Sequence, residues 1–138
     1  MAGRPGDGGF PCADLGARAG VITSGTPTKY SDITDGMSNT LVVSECANRP
    51  QYWLFGKLNT TEVPDSGGCG PGCVTGGLSA DNQKGMAIDG TNPVDGTTRN
   101  AGSCALNCTN GWEIYALRPG GASAAFADGS VRFLSQNI

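Results

Sequence analysis

The chain has 138 residues, 23 of them glycine and 8 proline; 15% are charged and the formal net charge is −3. This length supports one domain with a real core, the glycine share is more than twice the usual roughly 7% and argues against a helical fold, and the slight acidity leaves no basic stripe for nucleic acid. The longest apolar runs are four or five residues, where a membrane-spanning helix needs roughly 20, so neither nucleic acid nor a bilayer is an expected partner of this stretch.

Residues 1–28 are small and polar, with Pro5, Pro11 and Pro27, and read as an irregular N-terminal segment. They show no charged n-region followed by an apolar h-region, so no targeting segment is legible in them. The first organised stretch runs from Tyr30 to Glu45: Asp35-Gly36 is a turn signal and Thr40 to Glu45 is β-branched enough for a strand. Gln51 to Phe55 is a second strand candidate. From Gly56 to Gly111 the composition turns to Gly, Asn, Asp, Thr and Pro, a loop-rich insertion of a length that is usually functional or tied by cross-links. Trp112 to Leu117 alternates as a third strand, and Arg118-Pro119-Gly120-Gly121 turns the chain into the C-terminal hairpin.

That hairpin is the strongest local signal. Two short runs flank Asp128-Gly129, which suits a two-residue type I′ turn. Such a turn sets Phe126 opposite Val131 and Ala124 opposite Phe133, collecting the apolar side chains on one face and leaving Ala125 and Arg132 on the other. No segment of helical length has a 3.6-residue period. The expectation is therefore a single domain, mainly β, with an antiparallel sheet of about four to six strands and a long Cys/Gly-rich loop region.

Six cysteines, Cys12, Cys46, Cys69, Cys73, Cys104 and Cys108, suit a disulfide framework in an oxidising compartment. Four of them form two C-x3-C pairs, a spacing that structural zinc sites also use. The disulfide reading is preferred, and it favours a chain whose targeting segment lies elsewhere over a cytoplasmic one.

The chain contains no histidine, so Ser-His-Asp and Cys-His machinery cannot be assembled. Acid–base chemistry would fall to Asp32, Asp35, Glu45, Asp81, Asp89, Asp95, Glu113 or Asp128, and no spacing among them defines a dyad. The segment Asp89-Gly-Thr-Asn92-Pro-Val-Asp95-Gly offers hard oxygen ligands for calcium at Asp89, Asn92 and Asp95, without the glutamate of an EF-hand; two Asp/Asn-Gly turns in a solvated loop are the plainer reading. Arg118-Pro-Gly-Gly has no following helix and is a turn rather than a phosphate loop. Tyr52, Trp53, Phe55, Trp112 and Tyr115 would serve either as core or as a sugar-stacking platform.

Two strings taken together resemble a known family. They are Asp32-Ile-Thr-Asp35-Gly36-Met-Ser38-Asn39-Thr40 with Glu45 following, and Cys104-Ala-Leu-Asn-Cys108-Thr-Asn-Gly-Trp-Glu-Ile-Tyr115 leading through Arg118-Pro-Gly-Gly to Phe126-Ala-Asp128-Gly129-Ser-Val-Arg-Phe133. They are similar to the C-terminal globular region of bacterial prepilin-like proteins of unknown function named for an H-x9-DG motif. Here nine residues separate position 118 from Asp128-Gly129, but position 118 is arginine, which cannot accept a hydrogen bond or ligate a metal as imidazole does. The resemblance implies a head domain (α+β once an N-terminal helix is counted) that in its full-length form sits in the periplasm or at the cell surface, assembles with other pilin-like subunits or surface components, and has no catalytic role. It also implies that this chain is the head without the leader and apolar helix of its relatives. Calcium binding by some pseudopilin heads adds weight to the Asp89–Asp95 loop. Two other functions suit the composition: a small Ca²⁺- or Zn²⁺-dependent hydrolase of ester, lactone or phosphoester bonds, and a carbohydrate-binding surface module built on the aromatic set.

Overall fold

The computed structural model describes residues 21, 27–64, 68–74, 88, 90–98, 102–111 and 113–137. Among them the protein is mainly β, with antiparallel sheets and one 3-10 turn at Tyr30–Asp32. Seven strands follow in chain order: β1 (Leu41–Ser44), β2 (Tyr52–Leu54), β3 (Lys57–Asn59), β4 (Gly68–Gly70), β5 (Cys73–Val74), β6 (Gly121–Phe126) and β7 (Val131–Ser135). Instead of one larger sheet they form a three-stranded sheet of order β1-β6-β7 and two separate hairpins, β2-β3 and β4-β5. The expected strands at Thr40–Glu45 and Gln51–Phe55 are β1 and β2.

The C-terminal hairpin forms, but its register is shifted by one residue from the expected one. Phe126 N–H donates to Ser130 O at 2.9 Å and Gly129 N–H donates to Phe126 O at 2.9 Å, so Ala127, Asp128 and Gly129 make a three-residue loop with Gly129 at φ +83°. The Asp128 carboxylate reinforces this loop by accepting from Ser130 N–H at 2.9 Å and Ser130 Oγ at 2.6 Å. The pairs are consequently Ala125 with Val131, Ala124 with Arg132, Ser123 with Phe133 and Ala122 with Leu134. Because side chains alternate across a strand, Ala122, Ala124, Phe126, Arg132 and Leu134 share one face, and Ser123, Ala125, Val131 and Phe133 share the other. Phe126 thus meets Arg132, whose guanidinium lies 4.4 Å from its ring centroid.

The core lies under the first of these faces. Leu106, Ile114, Ala116 and Ala122 form it, with Leu41, Ala105 and Leu134 packed against its rim. Small residues on β6 let the strand approach closely. At Gly121, with φ +153°, a Cβ would overlap the Leu134 carbonyl oxygen.

The expected third strand, Trp112–Leu117, is replaced by isolated bridges at Ile114 and Tyr115; Trp112 is outside the described residues. Glu113, Ile114, Tyr115 and Ala116 are consecutively buried, which a half-exposed alternating strand cannot achieve. They lie between two neighbouring stretches. Tyr115 N–H donates to Glu45 O at 3.0 Å on one side, and Ala116 N–H donates to Asn107 Oδ1 at 2.8 Å on the other.

The described residues between 56 and 111 are loop-rich but anchored. Bridges join Gln51 to Cys73, Leu54 to Thr109 and Thr91 to Cys104, and two disulfides close within them, Cys69–Cys73 and Cys104–Cys108, each spanning four positions. Loops this short contribute about 2 kcal/mol each in the chain-entropy picture. The two C-x3-C pairs are therefore cross-links rather than the four thiolates of a zinc site. Cys46 is a free thiol among the described residues, and Cys12, the remaining member of the expected set of six, lies outside them.

Candidate functional site

Glu45 stands where the chain changes partners. Its N–H still donates to Ser123 O on β6 at 3.3 Å, while its own carbonyl has turned to accept from Tyr115 N–H. An antiparallel ladder would return Ser123 N–H to that carbonyl. Instead the side chain substitutes: Ser123 N–H donates to Glu45 Oε2 at 2.9 Å. Glu45 Oε1 takes Arg118 Nη2, which also donates to Ser123 Oγ at 2.8 Å. The Arg118 guanidinium lies 5.8 Å from the Phe133 ring centroid, within cation–π range.

The backbone N–H of Ser123 chiefly holds the Glu45 carboxyl below its ordinary range; burial opposes it, and the Arg118 guanidinium adds to the lowering. Beside this ion pair opens a shallow groove of about 430 Å³ lined by Glu45, Cys46, Ala47, Ala116, Leu117 and Arg118. Burial raises the Cys46 thiol above its usual range, partly offset by Arg49, and the thiol donates to Asn110 O at 3.4 Å. It is held as a thiol, not prepared as a nucleophile.

The motif residues therefore separate into three places. Glu45 and Arg118 come together. Asp35, Gly36 and Asn39 build a turn, with Gly36 at φ +85° and Asn39 Nδ2 donating to Asp35 O at 3.0 Å. That turn reaches the hairpin loop through Ala127 N–H, which donates to Thr40 O at 2.8 Å. Asp128 and Gly129 form the loop itself, with Asp128 Oδ2 accepting from Arg132 at 3.1 Å. Position 118 and Asp128 thus lie at opposite ends of β6, a strand of six residues, which extends on the order of 20 Å.

Of the calcium candidates, Asn92 and Asp95 are adjacent and Asp89 is outside the described residues. Asn92 Oδ1 accepts from Val94 N–H at 2.9 Å and Asp95 Oδ1 from Thr97 N–H at 2.8 Å, so a cation would have to compete with these Asx turns, of which the one at Asp95-Gly96 is expected from the sequence. No cluster of three or more Cys, Asp or Glu ligands occurs among the described residues. Of the aromatic set, Tyr52 and Tyr115 are core residues at 1% exposure and Phe55 is 41% exposed. Trp53 is half-buried.

A family model described as SBP_bac_10, protein of unknown function (DUF1559), matches residues 3–138. The chain belongs to that family. No curated protein and no solved structure matches it. In this DUF1559 member the polar residues that sequence reasoning passed over are two asparagines. Asn107, at φ +62°, donates through Nδ2 to Gly121 O at 3.4 Å while its Oδ1 serves Ala116. Asn110 accepts from Trp53 N–H at 2.9 Å and donates to Ala47 O at 3.1 Å and Gln51 O at 2.7 Å. Asparagine's tolerance of positive φ and its double capacity as donor and acceptor were the available signals, and the crowding of both residues into Asn107-Cys-Thr-Asn110 marked the place.

Proposed function

We propose that this domain is a structural head, pilin-like or pseudopilin-like in its role, which works at the periplasmic or outer surface by presenting a sheet face to neighbouring subunits and performs no catalysis. One observation carries the reading. Val43, Val131 and Phe133 are 57%, 71% and 56% exposed and stand on one side of the β1-β6-β7 sheet, since Val43 pairs with Ala125 and Ala125 with Val131. Apolar side chains collected on one sheet face favour a covering layer.

The occupant that suits this face is an apolar helix belonging to the assembled subunit, the usual second layer on an antiparallel sheet. Arg118 and Glu45 beside Phe133 provide its polar rim. The test is to express the head behind an N-terminal apolar helix, with and without Val43→Glu and Val131→Glu, and to follow membrane insertion and filament formation. Assembly that depends on both valines supports the proposal. A helix-bearing protein that stays monomeric and soluble, or assembly indifferent to both substitutions, refutes it.

A further inference from the structure

A second surface lies at the edge of the same sheet. In an antiparallel hairpin, alternate residues turn their N–H and C=O groups toward the partner strand. Phe126 N–H bonds Ser130 O, and Gln136 N–H bonds Gly120 O at 2.9 Å, so residues 130, 132, 134 and 136 face β6. Val131, Phe133 and Ser135 therefore turn their six backbone donors and acceptors outward. β7 ends the strand order β1-β6-β7, and among the described residues no segment pairs with that edge. Natural edges are usually blunted by proline, lysine, a bulge or brevity. The opposite edge obeys this: β1 has four residues and a register irregularity between Leu41 and Val43. β7 is five residues long in regular register and carries no proline, and its one charged side chain, Arg132, is paired with Asp128 of its own chain.

The unused groups are symmetric about Phe133. A two-fold axis through that residue pairs Phe133 with Phe133 of a second copy and Val131 with Ser135 in both directions, and it satisfies all six groups on each side. A strand is its own complement in this arrangement. Charge agrees with the register. Arg132 comes opposite Leu134 of the other copy rather than opposite its own equivalent, and each Arg132 is already paired with Asp128 in its own chain. We propose that the free edge of β7 binds the same edge of a second copy, antiparallel and centred on Phe133, to give a continuous six-stranded sheet of order β1-β6-β7-β7-β6-β1. Two five-residue strands bury less than the roughly 1,200 Å² of stable complexes, so the dimer is weak and concentration-dependent. This pairing uses the strand edge and stands whether or not a helix covers the sheet face.

Sedimentation velocity of the full chain across micromolar to millimolar concentration is expected to show reversible dimerisation, and Phe133→Lys to abolish it while the circular dichroism is unchanged. Cysteine cross-linking fixes the register. Phe133→Cys brings equivalent Cα atoms to about 5.5 Å, within disulfide reach, and is expected to yield an oxidised dimer. Val131→Cys alone separates them by roughly 14 Å and is expected to yield none. Val131→Cys mixed with Ser135→Cys is expected to yield a mixed dimer. The wild-type chain under the same oxidation controls for its own thiols. A protein monomeric to millimolar concentration, or Val131→Cys cross-linking as well as Phe133→Cys, overturns the proposal.

Discussion

Replacing Asn110 with alanine should be among the most damaging single changes available in this domain. The side chain is fully buried and holds its segment to residues 47–53 at three points, through Trp53 N–H, Ala47 O and Gln51 O. Each such bond is worth about 1 kcal/mol net, and truncation also strands a donor and two acceptors at about 1–3 kcal/mol for any that water cannot reach. Relaxation and water entry recover part of this, which leaves an expected loss of about 3–5 kcal/mol. Against a total stability of about 5–15 kcal/mol, that places Asn110→Ala near the limit of folding. The thermal midpoint should fall by roughly 12–20 °C at this chain length. Equilibrium urea unfolding followed by near-UV circular dichroism, with the disulfides kept oxidised, measures the loss. A change below about 1 kcal/mol would show that Asn110 is a bystander, and the account of how residues 105–116 are anchored would then be wrong.

Two further outcomes follow from the sheet. Glu45 has a folded pKa below its unfolded one, so its contribution is complete above the ordinary glutamate range near 4.3 and is lost as pH falls through the folded value. Glu45→Gln should therefore flatten the decline of thermal midpoint below about pH 4.5 relative to wild type. An identical acid profile in the two proteins would remove the carboxylate from the account; the side chains of this pair are 38% and 48% exposed, so the difference will be modest. Gly121→Ala sets a Cβ against the Leu134 carbonyl and 2.9 Å from Phe133 Cζ at a φ of +153°. It should cost about 3 kcal/mol or more by separating β6 from β7, and an alanine variant as stable as wild type in urea would contradict the close approach.

Local chemistry explains which features were legible in advance. Composition excluded a helical fold, a β-branched run located β1 and a run of bulky side chains β2, and six cysteines suited a disulfide framework, whereas the pairing of Cys69 with Cys73 and of Cys104 with Cys108 was decided by the fold. The turn at Asp95-Gly96 was likewise readable, because its hydrogen bonds span two or three positions. The hairpin was placed correctly, but its loop length was not. Asp-Gly suits both a two-residue turn and a three-residue loop with glycine at the positive-φ position, and the difference of one residue reverses every side chain after it. The expected apolar face, Ala124 and Phe126 with Val131 and Phe133, was thereby divided between the core side and the solvent side.

The pairing of Glu45 with Arg118 joins residues 73 positions apart, and no period or spacing announces such a contact. It exists because Tyr115 occupies the Glu45 carbonyl, so a carboxylate must complete the ladder to Ser123. Strand content, turns and short cross-links are decided within a few residues, where backbone preference and side-chain chemistry act on their own neighbours. Which face is dry, which edge is open and which charges meet depended on how distant segments divide a limited set of backbone partners among themselves, and that allocation belongs to the folded chain alone.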